Sequence, residues 1–153
     1  MYTIDTSVWV NGFDRREPGH TISRQVLDLL GTLTLPIIVP YLVLAEVAGA
    51  ISRTRNSPAQ AQAFAIALSR LPNVTLVPLD AVLAQQALAL AAQYGLRGAV
   101  AIYAAVALHT GSILLSLDNE HHTRLQGIVS TRMPADLLPD LLLLHAEPER
   151  PLE

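Results

Sequence analysis

The amino-acid sequence predicts an α/β domain built on a mostly parallel sheet. Three observations predict it. Short β-prone apolar runs alternate with longer stretches of helical periodicity, the pattern of βαβ units. The run Pro36 to Val39 is continuously apolar and bounded by prolines, as suits a strand buried on both faces. Aspartates, serines and glycines stand where the helical stretches should begin and end.

In chain order, Tyr2 to Ile4 is a short strand that ends at Asp5, and Thr6 or Ser7 can cap the helix that follows. His20 to Leu33 reads as helix, with Ile22, Val26, Leu29 and Leu30 at helical spacing. After the strand at 36–39, Tyr41 to Arg55 turns helical, with Leu44, Val47 and Ile51 on one side and Glu46 off it. Asn56-Ser-Pro58 breaks that helix, and Ala59 to Leu71 is an alanine-rich restart. Val74 to Pro78 is strand-like, and Asp80 caps the helix Ala81 to Tyr94, which Gly95 ends. Gly98 opens Ala99 to Thr110, and Gly111 stops it. Ile113 to Leu117 is a strand ending at Asp118, followed by a short helix at Asn119 to Leu125 and a last strand near Ile128 to Ser130. Met133 to Leu144 reads as a turn plus an apolar segment, and the proline-containing tail from Glu147 as frayed.

The 153 residues contain 51% hydrophobic and 15% charged residues, which excludes a disordered chain. One domain over residues 1–146 with a tail at 147–153 accounts for that length. The most apolar stretch, Leu33 to Ile51, carries Pro36, Pro40 and Glu46, so it does not read as a membrane span. There is no cysteine, hence no disulfide and no thiolate metal site. The N-terminus has no basic segment and meets Asp5 early, so a cytoplasmic protein is expected. Net charge is -3, and all 10 basic residues are arginines. That balance argues against holding long nucleic acid by charge alone, but leaves room for an enzyme that touches a few nucleotides.

Function in open α/β sheets sits at the carboxyl ends of the strands. Asp5 and Asp118 fall at two such ends, and Glu46 lies in the helix after the second strand, in an otherwise apolar stretch. If the sheet brings these three carboxylates together, a cation must offset their repulsion. Hard oxygen ligands select Mg²⁺ or Mn²⁺, and such a site suits hydrolysis of a phosphodiester. Each residue also has a plainer reading. Asp5 and Asp118 serve as ordinary helix N-caps, Glu46 as a solvated residue, and Asp80 as a cap. His121 and His122 are adjacent and point about 100° apart on a helix, so they read as surface histidines rather than chelators. The sequence has no GxGxxG, no GxxxxGK[ST], no GxSxG and no HExxH.

At these residues the chain resembles a known family. The opening Tyr2-Thr-Ile-Asp-Thr-Ser7, the segment Leu44-Ala-Glu46-Val, the helix Leu96-Arg-Gly-Ala-Val-Ala-Ile-Tyr-Ala-Ala-Val-Ala-Leu108 and the run Leu115-Ser-Leu-Asp118-Asn-Glu120 look like a PIN domain, closest to the VapC-like toxin ribonucleases. The resemblance runs in order from Tyr2 to about Leu138. It implies a three-layer α/β/α sandwich around a central parallel sheet. It also implies Mg²⁺- or Mn²⁺-dependent cleavage of RNA, an antitoxin partner and a homodimer. The family's first aspartate matches Asp5, its glutamate Glu46 and its later strand-end aspartate Asp118, the implied metal-holding and catalytic acids. Ser7 matches the small hydroxyl residue beside the first aspartate.

One family acid does not carry over. The aspartate expected two residues after the glycine that opens the long helix is Val100 here. Losing a charge-assisted contact of ~1.5–3 kcal/mol weakens an ion's hold by roughly ten- to a hundredfold. Glu120 or Asn119, beside Asp118, offer replacement oxygens. Three readings follow. One is a ribonuclease, with Ser7 and Asn119 orienting water or a phosphate oxygen and Arg15, Arg16 or Arg97 contacting phosphate. Another is a non-cleaving PIN domain that binds RNA or an antitoxin. The third is an α/β small-ligand domain.

Overall fold

The computed structural model describes residues 1–146, so the expected frayed tail at 147–153 lies outside the described residues. Five strands form one sheet: β1 (Tyr2–Ile4), β2 (Ile37–Pro40), β3 (Val74–Val77), β4 (Ile113–Leu115) and β5 (Thr131–Arg132). Their order is β3-β2-β1-β4-β5, and every neighbouring pair is parallel. Eight helices join or follow them: α1 (Thr6–Phe13), α2 (His20–Thr32), α3 (Leu42–Arg55), α4 (Pro58–Ser69), α5 (Ala81–Tyr94), α6 (Gly98–Thr110), α7 (Asn119–Arg124) and α8 (Pro134–Ala146).

The strand order dictates the layers. The chain steps from β1 outward to β2 and β3, then returns to the far side of β1 for β4 and β5. Right-handed crossovers therefore place α1 to α4 on one face and α5 to α7 on the other. The packing agrees, because α1 meets α2 and α3, α3 meets α4, and α5 meets α6. α8 returns to lie against α2. The result is the expected three-layer α/β/α sandwich. Between β1 and β4 the direction of winding reverses, which opens a crevice at the carboxyl ends of those strands.

The core is the sheet's two faces and what covers them. Ile4, Val39, Leu114 and Leu115 are fully buried in the strands. Val26 and Leu30 of α2 and Val43, Val47 and Ile51 of α3 are buried in their helices, a helical stripe in each case. α6 packs across β2, β1 and β4, and Val100, Ala101 and the run Tyr103 to Ala107 are all buried. Burial inside the molecule therefore accounts for the apolar character of α6. Among the described residues, no single helix is long and apolar enough to cross a membrane.

Several boundaries differ from the sequence reading. Asp5, not Thr6 or Ser7, is the N-cap of α1, since its side chain accepts from the Ser7 N–H. β4 stops at Leu115 rather than Leu117, because Ser116 turns into the crevice. β5 is Thr131–Arg132, not Ile128 to Ser130. The apolar pair Ile128 and Val129 is used in a turn, where both N–H groups bond back to the Leu125 carbonyl and Gly127 adopts φ +78°. The segment from Pro134 to Ala146 is a full helix despite Pro139. Pro139 lies on the exposed side, opposite buried Leu137 and Leu141, so water can serve the carbonyl that its missing N–H leaves free.

Candidate active site

β1 delivers Asp5 to the crevice. The carboxylate is mostly buried, and its Oδ2 atom accepts three hydrogen bonds: Ser7 Oγ at 2.5 Å, Ser7 N–H at 3.3 Å and Ser116 Oγ at 3.1 Å. The two hydroxyls also tie down the β4 loop. Leu117 N–H donates to Ser7 Oγ at 3.0 Å, and Asp118 N–H donates to Ser116 Oγ at 3.0 Å. The segment that carries Asp118 is thus fastened to Asp5 by two hydroxyl bridges.

α3 delivers Glu46 from its second turn. Its Oε2 atom accepts from Thr6 Oγ1 at 2.8 Å and from the Tyr103 hydroxyl at 2.7 Å, and those two hydroxyls stand 2.7 Å apart. Thr6 follows Asp5 directly, so the first two acids meet across Thr6 and Tyr103. Burial pushes the Tyr103 phenol well above its ordinary pKa, and the charges of Glu46 and Asp5 push it further. Tyr103 therefore acts as a neutral donor.

Asp118 caps α7, its Oδ1 atom accepting the Glu120 N–H at 2.9 Å. Its Oδ2 atom accepts from Arg97 at 2.5 Å. The same guanidinium donates to Glu120 Oε2 at 2.6 Å, and the Arg97 N–H donates to Oε1 at 3.2 Å. Burial alone would raise the Asp118 pKa, but the Glu120 N–H and Arg97 outweigh it and hold the group below the usual carboxylate range. Arg97 likewise lowers the Glu120 carboxyl.

α6 explains what lies between these groups. Arg97 is the extended residue that caps α6 and meets Asp118, while Tyr103, one turn after Val100, meets Glu46. Val100 lies between them in the chain and is only 5% exposed.

The residues fit a hard cation in chemistry more than in closure. Among the described residues, Asp5 Oδ1 and Glu46 Oε1 receive no hydrogen bond from the protein. Two open carboxylate oxygens suit Mg²⁺, which is commonly held by one or two carboxylates and keeps several waters. Asp118 is committed to Arg97, and among the described residues no three His, Asp or Glu side chains are grouped to enclose an ion.

Other expected residues are placed as follows. Ser7 spends its hydroxyl on Asp5 and Leu117. Asn119 is exposed in the first turn of α7. Arg16 pairs with Asp14 at the C-terminal end of α1, while Arg15 is exposed there. His121 is not a surface residue: it is 1% exposed, its Nδ1 atom lies 2.8 Å from Ser116 Oγ, and its ring stands edge-on to Tyr103. A six-residue helix held against the sheet must bury one side, and that side falls on His121. Sequence reasoning missed Thr6, Tyr103, Ser116 and His121 as members of the site. Tyr103, the one polar tip in the apolar run Val100 to Leu108, was the one available signal.

The family profile described as "PIN domain" matches residues 2–126. No curated protein matches the chain. Among solved structures, the chain is similar to VapC20 from Mycobacterium tuberculosis, a toxin that cleaves the sarcin-ricin loop, with a TM-score of 0.70, 19% identity and coverage of 86% of this chain and 99% of that one. It is similar to VapBC2 from Rickettsia felis, solved with a DNA fragment from the promoter, at a TM-score of 0.64 and 18% identity, covering 86% and 97%. FitAcB from Neisseria gonorrhoeae gives a TM-score of 0.64 at 18% identity, covering 88% and 99%.

Proposed function

This chain belongs to the PIN-domain family, and from that premise we propose that it is a VapC-like endoribonuclease that hydrolyses RNA phosphodiester bonds with Mg²⁺ or Mn²⁺. The observation that supports the proposal is the pair Asp5 and Glu46, linked through Thr6 and Tyr103 beside the carboxyl end of β1, each with one carboxylate oxygen that receives no hydrogen bond among the described residues. Asp5 and Glu46 would hold the ion, and Asp118 or Glu120 could add oxygens if released from Arg97. A bound cation supplies a more acidic water and neutralises charge on the phosphate. Ser7 and Ser116 fix the Asp5 carboxylate, Thr6 and Tyr103 fix that of Glu46, and Asn119 is exposed at the start of α7. Arg97, 67% exposed, is the cation that an entering phosphate reaches.

The partners proposed are an antitoxin protein and a second copy of the chain, acting in the cytoplasm. Exposed Val82 and Leu88 on α5 with Leu108 on α6 offer apolar surface for the second copy. Sedimentation at tens of micromolar is expected to give a dimer, an estimate set above common weak-association constants. A clean monomer overturns that part.

The test of the activity is cleavage of a structured RNA with Mn²⁺, with EDTA and Asp5→Asn as controls. Cleavage lost in both controls is the expected result, and metal-independent cleavage overturns the metal reading. Val100 favours a second reading, a PIN domain that binds RNA or an antitoxin without cleaving. That reading holds if neither the natural chain nor Val100→Asp cleaves while binding persists.

A further inference from the structure

Ser116 makes more hydrogen bonds than its neighbours, and counting protons around it fixes the state of two histidines. Its hydroxyl has one proton and two lone pairs. Asp118 N–H can only donate, so it takes a lone pair at 3.0 Å. Ionised Asp5 can only accept, so it takes the proton at 3.1 Å. One lone pair is left for His121 Nδ1 at 2.8 Å, so that nitrogen must carry a hydrogen. His121 Nε2 is buried and has no partner among the described residues, so the ring is held through Nδ1 alone. The Ser116 carbonyl can only accept, so His122 Nε2, at 2.9 Å, must donate to it. Adjacent histidines thus donate to one serine through different ring nitrogens, one to its side chain and one to its main chain.

We propose that His121 and His122 are positioning residues of the site: they hold Ser116 in the orientation that saturates Asp5 Oδ2 and leaves Oδ1 open for a cation. The donor at His121 Nδ1 fills the second lone pair of the hydroxyl and so fixes its rotation with the proton on Asp5. Without it, only Asp5 and the Asp118 N–H orient the hydroxyl, and Asp5 Oδ2 is held less firmly. The proposal rests on the reading of Asp5 as a metal ligand and adds a role for two residues outside the acidic set.

The test has two readouts. Nitrogen-15 NMR of the metal-free protein at neutral pH is expected to show His121 in the Nδ1–H form and His122 in the Nε2–H form. Ser116→Ala should release His121 from its Nδ1–H form. His121 seen in the Nε2–H form in the natural chain overturns the proposal. Mn²⁺ affinity, read by electron paramagnetic resonance, should fall roughly tenfold or more in His121→Phe, the usual scale for partners that orient a metal ligand. It should recover in His121→Asn, whose amide N–H can take the place of Nδ1–H. Equal affinity in His121→Phe and the natural chain overturns the positioning role. So does an Asn variant that folds, by its circular dichroism and melting curve, yet binds no better than Phe. If the natural chain binds no Mn²⁺ while the tautomers are as stated, the metal reading has failed, and the positioning role falls with it for that separate reason.

Discussion

On the proposed reading, Val100 and Arg97 are the residues that would set the strength of the site. Val100 is buried in α6, three residues after Arg97, which donates to Asp118, and one turn before Tyr103, which donates to Glu46. Val100→Asp is expected to raise Mn²⁺ affinity and Mn²⁺-dependent cleavage at least about tenfold, equivalent to ~1.4 kcal/mol. It should also lower metal-free stability by about 1–3 kcal/mol, because a carboxylate enters an apolar place beside other acids. Calorimetry with and without Mn²⁺ checks both halves. Arg97 is a different kind of control. Its pairs with Asp118 and Glu120 are solvent-facing on the arginine side, and water screens such pairs so that they contribute little. An RNA phosphate can displace them. Arg97→Ala is therefore expected to free Asp118, raise Mn²⁺ affinity a few-fold (roughly 2–5-fold) and weaken RNA binding. Filter binding and Mn²⁺ titration on the same variant should move in opposite directions, and movement together would show that Arg97 serves only the fold.

At the scale of elements, helix ends and helix interiors place opposite demands on glycine. Gly95 ends α5 at φ +63°, and a Cβ there would meet Arg124 Nη1 at 2.7 Å. Gly31 lies in the last turn of α2, and a Cβ there would meet nothing within 4 Å. Gly95→Ala should destabilise by about 1–2 kcal/mol, the cost of a left-handed residue with a side chain. Gly31→Ala should stabilise by about 0.5–1 kcal/mol, by removing freedom from the unfolded chain. Urea denaturation separates the two signs. The elements also show what can be read from sequence. β1, β2 and β4 are legible because each is a short apolar run cut off by a polar or proline residue, and the carboxylates at or after their ends stand out against that background. β5 is not, because Ile128 and Val129 are more strand-like than Thr131 and Arg132, yet only the latter pair reaches β4. The hydrogen-bonded surroundings of the acids are not legible at all. Thr6 meets Tyr103 across 97 residues and Ser116 meets Asp5 across 111, and no local periodicity encodes such pairings.

For the whole molecule, acid should be the weak direction. Asp14 is buried at the end of α1, held by Arg16 at 2.9 Å and Arg55 at 2.7 Å, with Arg55 also lying over Phe13. Hydrogen bonds from Arg16 hold its carboxyl far below the usual range. A carboxyl lowered in the folded state contributes its full stability above its unfolded value, about pH 4, and loses it as pH falls through the native value. The melting temperature should therefore be flat from about pH 7 to 5 and fall below about pH 4. Asp14→Asn should melt lower at neutral pH and show a shallower acid decline. An unchanged acid decline in that variant would assign the loss to other carboxylates.

The strand order has a consequence for the time at which the molecule can first act. β1 is the first of the five strands to be made and sits in the middle of the sheet, but its partner β4 comes more than a hundred residues later. At ribosomal rates of ~5–20 residues per second, Asp5 waits on the order of ten seconds before Asp118 has even been synthesised. Until then the growing chain has one side of its central strand unpaired and no complete acidic set. On the proposed reading as a ribonuclease, such a nascent chain would have no complete site with which to cut. The same arrangement means that premature termination anywhere before β4 leaves a fragment with an open sheet edge, fit for degradation.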